Sequence, residues 1–401
     1  MATKRALEGL LVLDLSHIMA GPFCAMMLGD LGADVIKVEK PAGEDSRRFG
    51  PPFISGESAA YLGLNRNKRD ICIDLKTDEG RTIVRELATK ADVLIENFKP
   101  STIANLGLGY QDLRRLNQKL VYCSISGFGQ TGNYRERGGF DLIAQAMSGL
   151  ISVTGYPGSS PAKVGVPISD LTAGLYSAQA ILAAYIHALR TGEGQHIDIS
   201  LLDSAISLTV WESAGFFATK QIPQPTGCAH RILAPYQEFP TADKPIVIGA
   251  GNQKIWIRLC ETLERQDLLA DPRFRSNALR TVNQASLAEQ LSTTLKKQCA
   301  QSWLEKFHKA GVPATPIYNL ADVYEDPHVK SREMRFTFEH PSLGTIDQIG
   351  SPMKFSTTPV GYNLPPPTLG QHTKDILMWL GYSADKIQDF RHSGIVSWNE
   401  S

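Results

Sequence analysis

The first forty residues contain the pattern that most restricts how this chain can fold. "GLLVLDLS" (residues 9–16) is a continuous apolar run, which is typical of a strand buried on both faces. "GPFCAMMLGDLG" then predicts a helix, with Pro22 suited to its first position and Gly32 to a left-handed stop. "ADVIKVE" is a second strand. Together these segments predict a compact βαβ unit and hence a parallel sheet.

A second alternation of helix and strand patterns follows. "GRTIVRELATKA" indicates a helix, "DVLIENF" a strand, "LRRLN" a helix end and "LVYCSISGFG" a strand with its loop. The repeated alternation predicts an α/β fold with a doubly wound, Rossmann-like parallel sheet. Such sheets bind ligands beyond the carboxyl ends of their strands. Glycine-rich and polar loops such as "SHIMAGP" and "SGFGQTG" follow the strands here, so we expect the functional site at that edge.

The length of the chain indicates more than one domain. Its 401 residues exceed the roughly 250 to 300 that a single core holds. A stretch rich in Pro, Gly, Thr and His indicates a linker, and "KPIVIGAG" begins a fresh α/β pattern. From Asp326 onward we expect an extended crossing segment that ends in a helix. The predicted order is a large α/β domain, a linker, an inserted small α/β domain, a return linker and a C-terminal segment returning to the large domain, over residues 1–200, 201–235, 236–325, 326–360 and 361–401.

Charge and cysteine usage narrow the function classes. The chain has 41 basic and 41 acidic residues, a balance that argues against a nucleic-acid partner. The apolar run near the N-terminus is only six residues long and ends at Asp14, too short for a signal sequence or a membrane span. The six cysteines are scattered, without CxxC or zinc-ligand spacing. We therefore predict a cytoplasmic protein with no metal site and no membrane association.

A βαβ start first suggests a nicotinamide enzyme, and Glu39 is placed like a ribose-binding acid. However, "SHIMAGP" lacks the GxGxxG fingerprint, and Pro22 has no amide to offer a pyrophosphate. Nicotinamide binding is therefore disfavoured. A set of basic residues within forty positions fits a solvated face and phosphate binding equally well; its members are Lys40, Arg47, Arg48, Lys68, Arg69 and Lys76.

Asp170 is the only charged residue between Lys163 and His187, and it precedes a run of small apolar residues. Aspartate is a preferred helix N-cap, because its carboxylate accepts amide hydrogen bonds from the first turn. On local sequence alone, a capping role is favoured over a catalytic one.

Several segments, taken in order, resemble the class III CoA-transferases, the group that includes formyl-CoA, carnitine and glutarate CoA-transferases. One such motif is weak, but seven in the family's order extend over most of the chain, and "PPPTLGQHT" follows near its end. The segments are "LDLSHIMAGPFCAMMLGDLGADVIKVEKP", "GEDSRRFGPPF", "NRNKRDICIDLK", "ADVLIENFKP", "VYCSISGFGQTG", "GVPISDLTAGLY" and "GAGN".

The resemblance implies that Asp170, in its "DLTAG" context, is the carboxylate that becomes covalently attached to CoA. The implied reaction moves CoA from a donor such as succinyl-CoA to a free carboxylic acid, through an aspartyl-CoA thioester. CoA would enter as part of the substrate, with no permanently bound cofactor, and the family's interlocked homodimer would apply. The implied CoA contacts are Met19, Ala20, Lys40, Ile73, Lys76, Asn97, Phe98 and Lys99.

The expected acceptor acid is judged from positions where this chain differs from particular branches of the family. Asn105 stands where some members carry arginine, and "TGCAHRILAPY" replaces the glycine-rich loop of oxalate-type members, which argues against formyl or oxalate specificity. The glutarate-type branch is most similar, so a short dicarboxylate is expected, with Arg47, Arg137 and His230 as candidate acceptor-binding residues.

The related 2-methylacyl-CoA racemases have a His-Asp pair where this chain has Phe140 and Asp141, and phenylalanine cannot move a proton. A CoA-binding protein without turnover is the remaining alternative.

Overall fold

The computed structural model describes residues 5–398. The chain divides into two compact units. The large unit comprises the chain up to Leu150, residues Lys163–Lys220 and the chain from Ser331 onward. The small unit comprises Ile151–Ala162 and Gln221–Lys330.

The strands are numbered along the chain. They are β1 (Leu11–Asp14), β2 (Asp34–Glu39), β3 (Phe53–Ile54), β4 (Glu57–Ser58), β5 (Lys68–Ile73), β6 (Val93–Glu96), β7 (Val121–Ser126), β8 (His196–Ser200), β9 (Tyr236–Phe239), β10 (Ile246–Gly249), β11 (Ala314–Pro316), β12 (Arg335–His340), β13 (Gly344–Ile349) and β14 (Val396–Ser397).

The helices are numbered in the same way. They are α1 (Ala20–Asp30), α2 (Ala59–Leu62), α3 (Asp78–Lys90), α4 (Thr102–Asn105), α5 (Tyr110–Leu116), α6 (Asp141–Met147), α7 (Leu150–Val153), α8 (Ile168–Thr191), α9 (Leu201–Ser207), α10 (Val210–Thr219), α11 (Gln253–Thr262), α12 (Gln266–Ala270), α13 (Asn277–Val282), α14 (Gln284–Leu295), α15 (Ala300–Ala310), α16 (Leu320–Glu325), α17 (Pro327–Ser331), α18 (Thr373–Leu380) and α19 (Ala384–His392).

The main sheet of the large unit has the strand order β14-β5-β2-β1-β6-β7-β8. All neighbouring pairs are parallel except β14 with β5, which is antiparallel. Helices α3, α5, α18 and α19 pack in the apolar core on one face, and α1, α8 and α9 pack in the core on the other. The predicted doubly wound α/β sheet is therefore confirmed.

Local sequence explains where the central elements begin and end. The apolar run predicted as the first strand forms β1, and most of its side chains are buried. Helix α3 begins where the Thr77 hydroxyl accepts the N–H of Gly80, and it buries Ile83, Val84 and Leu87 at helical spacing. Gly32 has the expected positive φ (+108°), whereas Pro22 is the third residue of α1 rather than its first.

The small unit has its own antiparallel sheet, in the order β11-β10-β9. Strand β10, from the predicted "KPIVIGAG" segment, pairs with both neighbours. Helices α11, α14 and α15 contribute Trp256, Leu291 and Phe307 to the core that covers this sheet. The unit therefore has a hydrophobic core of its own.

The C-terminal part of the chain differs from the predicted extended segment. Strands β12 and β13 form an antiparallel hairpin, with Gly344 at φ +77° beside its turn. Helices α18 and α19 then pack in the core of the large unit, and β14 closes the edge of the main sheet against β5. The prediction of an extended crossing segment with one terminal helix was wrong, because alternating polar and apolar residues allow hairpin pairing even where Pro and Gly are frequent.

Candidate active site

The loops after the parallel strands meet at one edge of the main sheet. Strands β1, β2, β5, β6 and β7 are parallel neighbours, so their carboxyl ends lie on the same side. The predicted CoA contacts follow four of these ends: Met19 and Ala20 after β1, Lys40 after β2, Lys76 after β5, and Asn97 to Lys99 after β6. Most of the predicted CoA contacts therefore lie at the carboxyl edge of the main sheet, where the sequence predicted the functional site.

A cavity of about 150 Å³ opens at this edge, and Asp170 lines it. Three predicted contacts, Met19, Ala20 and Asn97, line the same cavity. The loop after β7 and the start of α6 complete the wall. The other lining residues are His17, Ile18, Ile125, Ser126, Gly127, Gly139, Phe140 and Leu201.

Asp170 does not cap the helix that carries it. It is the third residue of α8, and the N-cap position belongs to Pro167, which makes no side-chain capping bond. The backbone N–H of Ser169 instead donates to Oδ1 of Asp141 at 2.8 Å. Gln145 donates to the other oxygen of Asp141 at 2.7 Å, which fixes that carboxylate. The capping interpretation of Asp170 was therefore wrong, since another aspartate does that work.

Asp170 is half-buried, and within residues 5–398 no hydrogen bond to its carboxylate is found. Burial, followed by the negative charge of Asp141, raises the pKa of Asp170 to about 7. A carboxylate that is desolvated and unpaired is more reactive than one solvated by water or fixed by donors. Asp170 is therefore a desolvated carboxylate that lines the cavity, in contrast to the hydrogen-bonded carboxylate of Asp141.

Close helix packing brings Asp170 to the loop after β1. A Cβ on Gly174, one turn beyond Asp170, would lie 2.8 Å from the carbonyl oxygen of Ala20. A Cβ on Gly21 would lie 2.2 Å from the hydroxyl oxygen of Ser16. Only glycine fits at these two contacts: Gly174 lets the first turns of α8 and α1 approach each other, and Gly21 lets the start of α1 pack against Ser16 in the loop after β1.

Asn97 holds the backbone of the loop after β1. Its side-chain oxygen accepts the N–H of His17 at 2.8 Å, and its side-chain nitrogen donates to the carbonyl of His17 at 2.8 Å. The His17 ring packs edge-on against Phe98, 4.8 Å between centroids. Two predicted CoA contacts therefore also support the loop that lines the cavity.

His17 is a cavity residue that the sequence analysis did not select. Its Nδ1 atom is buried with no hydrogen-bond partner among the described residues. Burial and the charge of Lys37 lower the pKa of His17, so the imidazole is neutral at pH 7. Its position directly after a buried strand was the signal that could have selected it.

Two glycines let the opposite wall of the cavity form. A Cβ on Gly127 would lie 2.5 Å from the Cα of Gly139, and a Cβ on Gly139 would lie 2.5 Å from the Cα of Gly127. The loop after β7 and the segment leading to α6 therefore pack backbone against backbone. Gly127, in the "SGFGQTG" loop that the sequence placed after this strand, makes that close approach.

The remaining predicted CoA contacts differ in exposure. Lys76 and Lys99 are exposed, and Lys40 pairs with Asp45 at 3.0 Å on the surface. All three lysines are thus accessible to an anionic ligand. Ile73 is fully buried in the hydrophobic core, so its backbone alone is left for a contact.

The basic set near the N-terminus is partly structural. Lys68 is fully buried and pairs with Asp14 at 2.9 Å. Arg47 is buried with its guanidinium against Glu39, at 2.7 Å, and against Glu57, at 3.2 Å. It also stacks over the ring of Tyr61, 3.8 Å from the centroid. The donors of Arg47 thus face protein groups, and removing either partner of such a pair destabilises a fold by about 3 to 5 kcal/mol.

The two other candidate acceptor residues lie in different units. Arg137 is exposed in the large unit, and its guanidinium stacks over Tyr134 at 3.7 Å. His230 belongs to the small unit, where its ring contacts Tyr236 and its Nδ1 accepts the N–H of Ile232. Neither residue lines the cavity at Asp170.

Neither a metal-binding cluster nor a membrane-spanning helix is found in the described part of the chain. Residues 5–398 contain no cluster of three or more His, Cys, Asp or Glu side chains arranged to hold a metal ion. No helix in the same range is both long and apolar enough to cross a membrane.

Comparison with known proteins shows what this site is similar to. Residues 7–373 match the model of CoA-transferase family III. A succinyl-CoA:glutarate CoA-transferase of Homo sapiens is 39% identical over 100% of this chain and 92% of its own length. A succinate–glutarate CoA-transferase of Agrobacterium fabrum is 42% identical over 93% of this chain and 95% of its own.

A solved structure agrees with the sequence relatives. A CAIB/BAIF family protein from Brucella suis superimposes with a TM-score of 0.84 at 40% identity, covering 94% of this chain and 99% of that one. The resemblance inferred from the seven segments is therefore confirmed over nearly the full length. This chain belongs to CoA-transferase family III.

Proposed function

We propose that this protein transfers CoA from succinyl-CoA to glutarate or another short dicarboxylic acid, with Asp170 as the covalent nucleophile. The observation that carries the proposal is the half-buried carboxylate of Asp170, unpaired and facing a cavity at the carboxyl edge of the sheet. The substrates are those named for the human and Agrobacterium fabrum relatives.

The transfer proceeds through the carboxylate without net gain or loss of a proton. The Asp170 oxygen attacks the thioester carbonyl of the donor, which releases CoA thiolate and leaves a mixed anhydride. The thiolate attacks the aspartyl carbonyl of that anhydride, so an aspartyl-CoA thioester forms and the donor acid leaves. The acceptor carboxylate attacks this thioester, and the released thiolate then attacks the acceptor carbonyl. The acceptor leaves as its CoA thioester and Asp170 is restored.

The environment of Asp170 favours this covalent route. Burial and Asp141 disfavour the charged carboxylate, as its raised pKa shows. Acylation removes that charge, so the mixed anhydride and the thioester do not carry the desolvation and repulsion energy that raises the free energy of the ionised carboxylate. The site thus disfavours the ground state of the nucleophile relative to its covalent intermediates.

The exposed lysines at the strand ends suit the charged parts of CoA. Lys76 and Lys99 present exposed ammonium groups close to the strand ends at this edge, and ammonium groups bind phosphate as point charges. CoA arrives with the substrate, so the proposal requires no resident cofactor.

A second copy of this chain is part of the proposal. Helix α10 buries none of its residues within the chain, and its exposed apolar side chains include Val210, Trp211 and Phe217. Exposed apolar clusters of this kind mark protein–protein contacts. We assign this face to a homodimer, in agreement with the family's interlocked arrangement.

One assay separates the proposal from its alternatives. The pure protein is mixed with succinyl-CoA and a panel of free acids, and the acyl-CoA products are analysed by mass spectrometry. Glutaryl-CoA, or another new dicarboxylyl-CoA, supports the proposal. Epimerised 2-methylacyl-CoA from a matched assay would indicate a racemase, and saturable CoA binding without any product would indicate a binding protein.

A further inference from the structure

The loop between β1 and α1 contains an uncommon backbone conformation. Met19 donates its N–H to the carbonyl of His17 at 3.0 Å, and the residue between them, Ile18, has φ of +68°. A hydrogen bond from the N–H of one residue to the carbonyl two positions earlier, across a residue with positive φ, defines the rare and strained form of the γ-turn. Isoleucine is β-branched, so positive φ is a genuine outlier at this position. Such conformations persist only where the surrounding structure enforces them, and they cluster at functional sites.

Glu44, from the loop after β2, is hydrogen-bonded to this turn. Its Oε2 accepts the backbone N–H of Ile18 at 2.8 Å. Its Oε1 accepts the hydroxyl of Ser46 at 2.7 Å and lies 3.7 Å from the ammonium of Lys37. The backbone N–H of Glu44 donates to Glu39 at 2.8 Å. The carboxylate is therefore buried and held from several sides, with one oxygen directed at the turn.

The turn determines part of the wall around the nucleophile. His17, Ile18 and Met19 all line the cavity that contains Asp170, whereas Glu44 does not. Helix α1 begins at Ala20, directly after the turn. A change of φ at Ile18 to the ordinary negative region would redirect the chain at Met19 and hence the wall that faces Asp170.

We propose that Glu44 is a positioning residue for CoA transfer, which acts by holding Ile18 in the γ-turn so that His17 and Met19 face Asp170. This inference rests on the proposed function, since the transfer reaction supplies its readout. Glu44 does not itself line the cavity and acts through the backbone of Ile18, which does.

The test compares variants of Glu44 with and without relief of strain at Ile18. Glu44→Gln keeps the size of the side chain but offers one acceptor oxygen for two donors, so we expect kcat to fall roughly tenfold. Glycine adopts positive φ freely and alanine does not. Ile18→Gly should therefore restore several-fold activity in the Glu44→Gln background, while Ile18→Ala, the matched control, should restore none. Kinetics are measured with succinyl-CoA and glutarate, each varied, and folding is checked by circular dichroism.

The outcomes separate this inference from the proposed function. Rescue by glycine but not by alanine supports the inference. If Glu44→Gln acted only by lowering the general stability of the protein, neither substitution would restore activity in preference to the other. Equal effects of glycine and alanine, in an active wild-type protein, would overturn the inference alone. A wild-type protein with no CoA transfer to any acceptor would overturn the proposed function as well. If Glu44→Gln does not fold, the same pair is compared in Ser46→Ala, which loosens Glu44 without removing its charge.

Discussion

The carboxylate of Asp141 accepts the backbone N–H of Ser169 at 2.8 Å, so a residue of α6 caps the first turn of α8. The residue after Ser169 is Asp170, whose pKa is raised by burial and by the charge of Asp141. One aspartate thus stabilises the helix end, and the other is left unpaired in the cavity. This division of roles leads to the following predictions.

The activity should increase with pH through the neutral range. The ionised form of Asp170 is the nucleophile, and its pKa in the free protein is about 7. We therefore expect kcat/KM to rise with pH and to level off above about pH 8. Initial rates of CoA transfer from about pH 5 to about pH 9 measure this profile. A rate that is flat between pH 5 and 7 would mean that the nucleophile is already ionised at pH 5.

Replacing Asp170 with asparagine should stabilise the protein, and only at higher pH. The folded pKa of Asp170 lies above its unfolded value, so the wild-type protein loses stability as pH rises from about 4 to about 7. Asp170→Asn lacks this loss and should be more stable by roughly 2–4 kcal/mol above pH 7, with the gain vanishing near pH 4. Urea unfolding at several pH values measures the difference.

A matched control exists for that measurement. Asp385 also lies in the first turn of a helix, α19, and it is exposed. Asp385→Asn should therefore show no stabilisation that increases with pH. An equal gain in stability in both variants would show that the gain does not come from the buried environment of Asp170.

Replacing Asp141 with asparagine should shift the pH profile without removing the cap. The asparagine oxygen can still accept the N–H of Ser169, but the negative charge beside Asp170 is gone. We expect the apparent pKa of kcat/KM to fall, although burial still holds it above the ordinary value for aspartate. Asp141→Ala removes the acceptor as well and should cost about 1 kcal/mol of unfolding free energy. An unchanged profile in Asp141→Asn would exclude the electrostatic role of Asp141.

The exposed face of α10 should hold two copies together. Trp211 and Phe217 are 60% and 67% exposed in the single chain. Their joint replacement with serine should convert a dimer into a monomer in light scattering at micromolar concentration, because the apolar contact is lost. Val282→Ser, at an exposed apolar position of α13, serves as the control and should stay dimeric. A wild-type protein that is monomeric under these conditions would contradict the dimer itself.

The central sheet could be predicted because its signals are local. The continuous apolar run at residues 9–16 and the "ADVIKVE" segment are unambiguous as buried strands, and they form β1 and β2. Parallel strands place their carboxyl ends together, so the edge that carries the site followed from the topology. Asp170 was identified through the resemblance, since its local sequence favoured a cap.

Other features depend on contacts between residues far apart in the chain. The cap on Ser169 comes from Asp141, and the donors of Arg47 face Glu39, so neither pairing is visible in local sequence. The γ-turn at Ile18 runs against the preference of a β-branched residue, and the carboxylate that is hydrogen-bonded to it comes from Glu44. Sequence patterns therefore predicted the elements, whereas the electrostatics of the site required the fold.

The most direct test of the covalent mechanism is mass spectrometry of the protein after mixing with succinyl-CoA in the absence of an acceptor acid. We expect the peptide containing Asp170 to gain the mass of CoA less one water, as a thioester of its carboxyl group requires, and hydroxylamine to discharge the adduct. Asp170→Asn should carry no adduct and lose several orders of magnitude in turnover, although it remains folded. An adduct on another residue, or an Asp170→Asn variant with wild-type turnover, would contradict the account.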